Sequence, residues 1–208
     1  MSAPEIVVLD YGSGNVRSAV RALEAAGASV ELTADPVRAE AAQGLVVPGV
    51  GAFSAVMDGL RGVGAVELIR RRHAQQRPLL GICVGLQVLF SSGTEHGLTD
   101  AGVGLWPGEV TRLRALIVPH MGWDTVAAPA GSQMFAGIED ERFYFVHSFA
   151  AHTPPPGAPA ALTRAGEDFV AAVEDGTTWA VQFHPEKSAD AGLHLLRNWL
   201  EALSRMGA

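Results

Sequence analysis

Residues 78–90, Pro-Leu-Leu-Gly-Ile-Cys-Val-Gly-Leu-Gln-Val-Leu-Phe, constrain the fold of this chain more than any other stretch. Leu79, Leu80 and Ile82 form an apolar run with no alternation. Such a run is covered on both faces, which is the situation of a strand in a parallel sheet sandwiched between helices. Leu86, Leu89 and Phe90 then recur at helical spacing, so the stretch predicts strand, sharp turn, helix. The one cysteine of the chain, Cys83, stands at the corner between Gly81 and Gly85. Glycines on both sides let the backbone turn tightly and pack closely, presenting the corner side chain above the free N–H groups of the helix start.

A thiol suits that corner because its reactive form is the thiolate, which the positive end of a helix or a nearby imidazolium favours. A lone cysteine in an apolar segment is also a common core residue. A nucleophile reading therefore needs a base and an orienting group elsewhere. The apolar strand ending at Phe183 delivers His184-Pro185-Glu186. In an extended segment residues 184 and 186 project to the same side, so the imidazole and carboxylate can meet. Both Cys83 and His184 sit just past carboxyl ends of strands, which makes convergence in space plausible.

At 208 residues the chain has the length of one α/β domain, expected to span 1–208, with a core that needs no disulfide. One cysteine and no leader pattern at the start point to a reducing, cytoplasmic setting. No stretch has the apolar length of a membrane span. A net charge of −7 argues against nucleic-acid binding, and the basic run Arg70-Arg71-Arg72 reads as the solvated end of a helix.

Before the corner, Glu5–Leu9, Ser29–Thr33 and Leu45–Pro48 read as strands, and Val16–Ala26, Pro36–Ala42 and Gly64–Arg72 as helices. Asn15 is the expected cap of the first helix and Gly27 its stop. The Gly12-Ser13-Gly14 turn lacks the third glycine and the acidic residue of a dinucleotide fingerprint, so no such cofactor is expected. Gly49-Val50-Gly51 follows a strand at the sheet edge where open α/β sheets bind ligands. Backbone N–H groups there and at Val84 can together form an oxyanion site.

Past Gly102 the pattern changes to short β-prone runs at 108–113, 116–119, 142–147, 160–164, 169–173 and 178–182, with Asp175-Gly176 as a hairpin turn. Residues 152–157 read as a surface loop. Residues 189–206 read as an amphipathic helix with Leu193, Leu196, Leu200 and Leu203 on its apolar side. The expected fold is α/β: a mostly parallel central sheet flanked by helices, with an antiparallel extension in the C-terminal half.

The segment 81–87, Gly-Ile-Cys-Val-Gly-Leu-Gln, together with 182–188, Gln-Phe-His-Pro-Glu-Lys-Ser, resembles the class I (triad) glutamine amidotransferases. Residues 10–15, 47–53, 119–123 and 143–148 are further similar to the glutaminase subunits of imidazole glycerol phosphate synthases, so the resemblance covers nearly the whole chain. It implies hydrolysis of L-glutamine to glutamate and ammonia by Cys83, His184 and Glu186. It also implies an oxyanion and substrate site at Gly49, Val50, Gly51, Val84, Gln87, His147 and Ser148, and no metal or organic cofactor. The ammonia would pass to a (β/α)8-barrel cyclase subunit, docked at Asn15, Trp123 and Lys187, that makes imidazole glycerol phosphate and aminoimidazole carboxamide ribonucleotide in histidine biosynthesis.

Two positions depart from the pattern: Asp124 stands where the family usually has asparagine, and Phe149 where tyrosine commonly follows His-Ser. The runner-up readings are another triad glutaminase, such as that of pyridoxal phosphate synthase, and a non-hydrolytic scaffold of the same fold. The Pro119–Trp123 block speaks against the first and the intact Cys/His/Glu set against the second.

Overall fold

A computed structural model describes residues 3–12 and 16–206. Strands β1 (Glu5–Leu9), β2 (Ser29–Thr33), β3 (Gly44–Gly49) and β4 (Leu79–Cys83) alternate with helices α1 (Val16–Ala26), α2 (Pro36–Ala41), α3 (Phe53–Gly62) and α4 (Ala65–Ala74). A one-turn helix, α5 (Val84–Gln87), leads to β5 (Phe90–Glu95), β6 (Leu98–Ala101), β7 (Trp106–Arg112), β8 (His120–Thr125), β9 (Arg142–His147) and β10 (Phe149–Ala151). Then come β11 (Ala160–Ala165), β12 (Glu167–Asp175), β13 (Thr178–Val181) and the closing helix α6 (Ala189–Met206). Among the described residues no helix is long and apolar enough to cross a membrane.

The central sheet has seven strands in the order β11-β12-β13-β4-β3-β1-β2. From β13 to β2 neighbouring strands run parallel, while β12 and β11 add an antiparallel edge. β3, β4 and β13 are buried along their whole length, as unalternating apolar runs require. α1 buries Val16, Ala19 and Leu23 on one stripe and ends at Gly27, whose positive φ of 112° closes the helix while the N–H of Ala28 reaches back to the Leu23 carbonyl. The expected cap of α1, Asn15, lies outside the described residues. α6 covers the sheet with Leu195, Leu196, Trp199, Leu200 and Leu203; Leu193, expected on that side, is only half-buried.

Four expectations need correction. Arg72, expected at the solvated end of a helix, is fully buried, its guanidinium donating to the carbonyls of Ala39, Ala42 and Pro78. The helix after Cys83 stops at Gln87, and Phe90 begins a strand paired with Trp106. The reason is tertiary: the carbonyls of Val88 and Leu89, free to continue a helix, instead accept N–H groups from Val103, Leu105 and Trp106. The run 116–119 forms no strand. Leu116 and Ile117 are exposed, and the strand starts at His120 instead. The antiparallel strands do not all extend the central sheet: β10-β7-β5-β6 form a separate four-stranded sheet and β8-β9 a two-stranded one. Helix α3 and strands β5, β6, β8 and β10 had no counterpart in the sequence reading.

The corner at Cys83 is built from close backbone contact. Cys83 takes φ 56°, ψ −111°, a conformation a side chain rarely adopts, so the surrounding structure must hold it there. A Cβ placed on Gly85 would stand 1.9 Å from the Val47 carbonyl oxygen, and one on Gly81 would stand 2.7 Å from the Gly85 oxygen. The two glycines of G-x-C-x-G are therefore there so that α5 can lie directly on the ends of β3 and β4. Gly85→Ala must force these backbones apart and is expected to cost about 3 kcal/mol or more in chemical denaturation. Gly62→Ala, which meets open space at the end of α3, should leave stability within about 1 kcal/mol of the parent. Equal stability of the two variants would refute this account of the corner.

Candidate active site

Parallel pairing brings the far-apart sequence segments together. Ile82 pairs with Val181 on one side of β4, and Cys83 pairs with Gly49 on the other. The carboxyl ends of β3, β4 and β13 thus lie side by side, carrying Val50-Gly51, Cys83-Val84 and Gln182-Phe183-His184. They open into a cleft of about 250 Å³ whose lining includes Val50, Gly51, Cys83, Val84 and His184. Gly51 has φ 89°, which leaves its peptide free to turn as a side-chain-bearing residue would resist. Val84 is the first residue of α5, where backbone N–H groups have no partner within the helix.

His184 is nearly inaccessible to solvent, and its Nδ1 lies 2.7 Å from Glu186 Oε1. Sequence reading placed these two residues on one side of an extended segment. The contact is made differently: Pro185–Lys187 is a short 3-10 turn that brings the carboxylate back under the ring. Pro185 begins that turn, where its missing N–H costs nothing. With Nδ1 committed to Glu186, Nε2 is the nitrogen that meets the Cys83 side chain. Burial pushes the ring toward the neutral form, but the bonds and charges of Cys83 and Glu186 outweigh it and raise His184 to about 9. At neutral pH the arrangement therefore holds an imidazolium between a sulfur and a carboxylate.

His147 goes the other way. Burial, with His120 and His184 nearby, drives it down to about 3 despite its bond to the Phe149 carbonyl. It is a neutral wall of the cleft. Gln87, also buried, donates from Nε2 to the Phe149 carbonyl at 2.7 Å and to Gln182 Oε1 at 3.0 Å. Only its carbonyl oxygen is left for a ligand. Phe149, one of the two departures, thus serves this network through its backbone.

Of the other expected residues, Ser148 lines the cleft, whereas Gly49 lies behind it: a Cβ there would stand 2.6 Å from the Gly85 nitrogen, so its lack of a side chain serves packing. Trp123 and Lys187 meet at one edge of the cleft through Tyr144, with the Trp123 ring 6.0 Å from it and the Lys187 ammonium 6.0 Å over its face. Trp123 is exposed, as is its neighbour Met121. Asn15 lies outside the described residues. Sequence reasoning missed Glu95, on β5, the one carboxylate among the described residues that line the cleft. Nothing in its local sequence marks it, because β5 itself was not foreseen.

The family model for "Glutamine amidotransferase class-I" matches residues 7–203. The chain is 59% identical to the "Imidazole glycerol phosphate synthase subunit HisH" of Leifsonia xyli subsp. xyli, over 98% of this chain and 100% of that protein. It is 55% identical to the protein of the same name from Mycobacterium tuberculosis, again over 98% of this chain and 100% of that one. A solved structure described as a glutamine amidotransferase superposes with a TM-score of 0.76 at 22% identity, covering 96% of this chain and 98% of that one, and shares the fold. The chain belongs to the class-I glutamine amidotransferase family and, within it, to the HisH-type subunits of imidazole glycerol phosphate synthase.

Proposed function

We propose that the chain works as one domain that hydrolyses L-glutamine with Cys83, His184 and Glu186 and hands the ammonia to a cyclase subunit of imidazole glycerol phosphate synthase, in histidine biosynthesis. The observation that carries this is the buried Cys83–His184–Glu186 chain, with His184 held between sulfur and carboxylate and its Nδ1 2.7 Å from Glu186. The Cys83 thiolate attacks the carboxamide carbon, and the oxygen that becomes anionic is met by backbone N–H groups at Val50, Gly51 and Val84, each worth about 3 kcal/mol in the transition state. His184 Nε2–H protonates the departing nitrogen, ammonia leaves and a thioester remains. A water then gives its proton to His184 as it attacks the thioester carbon, and glutamate departs with return of the thiolate. Glu186 keeps the ring in one tautomer and stabilises its cation.

Gln87 through its carbonyl oxygen, His147 and Ser148 shape the glutamine site, and Glu95 is suited to the substrate's α-ammonium group. The partner is a (β/α)8 barrel, docked over the edge formed by Trp123 and Lys187, with Asn15, outside the described residues, as a further contact. Such a site releases ammonia into a covered interface. A single free thiol that must stay reduced fits the cytoplasm.

Cys83→Ala is expected to abolish glutamine-dependent synthesis by the two-subunit complex and to leave synthesis from ammonium salts largely intact. Glutamine-driven turnover in that variant would overturn the assignment. The pH dependence follows from His184: its folded value is raised above the ordinary imidazole value, so the protonated ring and the stability it brings are fully present below about pH 6.5 and lost as pH rises through about 9. The kcat/KM for glutamine should fall over that upper limb, and Glu186→Gln should move the fall to lower pH; a profile flat beyond pH 10 in both proteins would contradict it. Lys187→Ala should raise severalfold the cyclase concentration needed for half-maximal glutaminase activation, since a charge at an interface rim acts mainly on association. An unchanged midpoint and plateau would remove Lys187 from the interface.

A further inference from the structure

We propose that Gln182 is a further catalytic residue: its side-chain amide donates a hydrogen bond to Cys83 Sγ and is locked in the orientation that does so by Gln87. Gln182 is completely buried, on the first residue after β13. A primary amide in that position is costly unless both of its ends are bonded. They are: Oε1 receives Gln87 Nε2 at 3.0 Å, and Nε2 lies 3.7 Å from Cys83 Sγ. The sense of the chain is fixed from its far end. The Phe149 carbonyl can only accept, so the Gln87 atom 2.7 Å from it must be nitrogen. The second hydrogen of that nitrogen then requires an acceptor from Gln182, which turns the Gln182 oxygen toward Gln87 and its NH₂ toward the sulfur. Flipping Gln87 would set its oxygen against the Phe149 carbonyl, two acceptors face to face, and flipping Gln182 would set its NH₂ against that of Gln87, two donors face to face.

The sulfur thereby has two neighbours of different kinds. A donor on one side makes it an acceptor there, so a thiol hydrogen is directed to His184 Nε2, and once the proton has moved the N–H remains to stabilise the anion. The same bond serves twice in the cycle. It favours the thiolate before attack, and it favours the thiolate as the leaving group when water opens the thioester. This deepens the glutaminase reading and rests on it for those two steps; the hydrogen bond to sulfur stands without it.

The test is the rate of Cys83 alkylation by iodoacetamide as a function of pH in the full-length subunit, which needs neither glutamine nor partner. Gln182→Glu keeps the acceptor for Gln87 but turns an oxygen toward the sulfur. It should slow alkylation at pH 7 by about ten- to a hundredfold, the worth of one hydrogen bond to a charged group, and move the rising limb of the profile to higher pH. Gln182→Met fills similar volume with no donor and should slow it about tenfold; it serves if a buried glutamate prevents folding, with circular dichroism confirming the fold of each. A residue that merely fills the core would leave the profile unmoved. Parent-like alkylation in the folded variants overturns the proposal, and so does a loss of glutaminase activity with alkylation unchanged. Slowed alkylation in the variants alongside a parent complex that shows no glutamine-dependent turnover would leave Gln182 in place and refute the proposed function instead.

Discussion

The contact on which the rest depends is that of the Val84–Gly85 backbone against the end of β3. Because no Cβ fits between Gly85 and the Val47 carbonyl, α5 can start in van der Waals contact with the sheet, and that start forces Cys83 into its positive-φ corner. Strain of this kind persists only where packing over-determines it. Here β3 and β13 flank β4 in parallel register, so the corner is held from both sides. The same register sets His184 and Gln182 beside the sulfur, and one packing constraint therefore places nucleophile, base and oxyanion donors together.

Electrostatics then divides the work between two buried histidines of one cleft. His184 has the Glu186 carboxylate on Nδ1 and the Cys83 sulfur as acceptor on Nε2, and both favour the charged ring over the opposing effect of burial, so it rises to about 9. His147 bonds a neutral carbonyl and faces two other imidazoles, so burial wins and it falls to about 3. Placing an anion partner beside one ring and none beside the other is enough to separate them. The neutral ring can shape the substrate site without repelling the imidazolium on which the chemistry turns.

Much of this was legible in residues 78–90 and 182–188, because an unalternating apolar run, a pair of glycines and a His-x-Glu each have few physical explanations. The parallel half of the fold was legible for the same reason, with β1, β2, α1 and the core of β3 and β4 falling where periodicity put them. What could not be read depends on pairing between distant segments. Phe90 follows Leu86 at a helical interval yet joins Trp106 in a strand, because β7 claims the carbonyls that a longer helix would have used. β8 alternates half-buried and exposed residues and carries Gly122 at a positive φ, so it has little strand signal of its own and exists through β9. Glu95 and Gln182 belong to the same class: one sits on an unforeseen strand, and the other reads as an unremarkable polar residue until its two bonds are seen.

The departure at Asp124 can be followed by the same accounting of donors and acceptors. His147 Nδ1 gives its hydrogen to the Phe149 carbonyl 3.0 Å away, which leaves the neutral ring's Nε2 an acceptor, and His120 Nδ1, at 3.1 Å, must donate to it. His120 then has a hydrogen on Nε2 only if it is protonated, and Nε2 faces Asp124 Oδ2 at 3.4 Å. The Thr125 N–H holds the other carboxylate oxygen at 2.9 Å, so the side chain is anchored in that position. Phe145 and Phe169 pack on the remaining faces of the ring and offer no charge. Burial lowers His120, and Asp124 pulls it back up. The asparagine that the resemblance leads one to expect here would offer an N–H to the neutral ring without itself titrating. A carboxylate instead ties the His120 contact behind the wall of the cleft to a proton, so the substitution that left the triad untouched makes this contact dependent on pH.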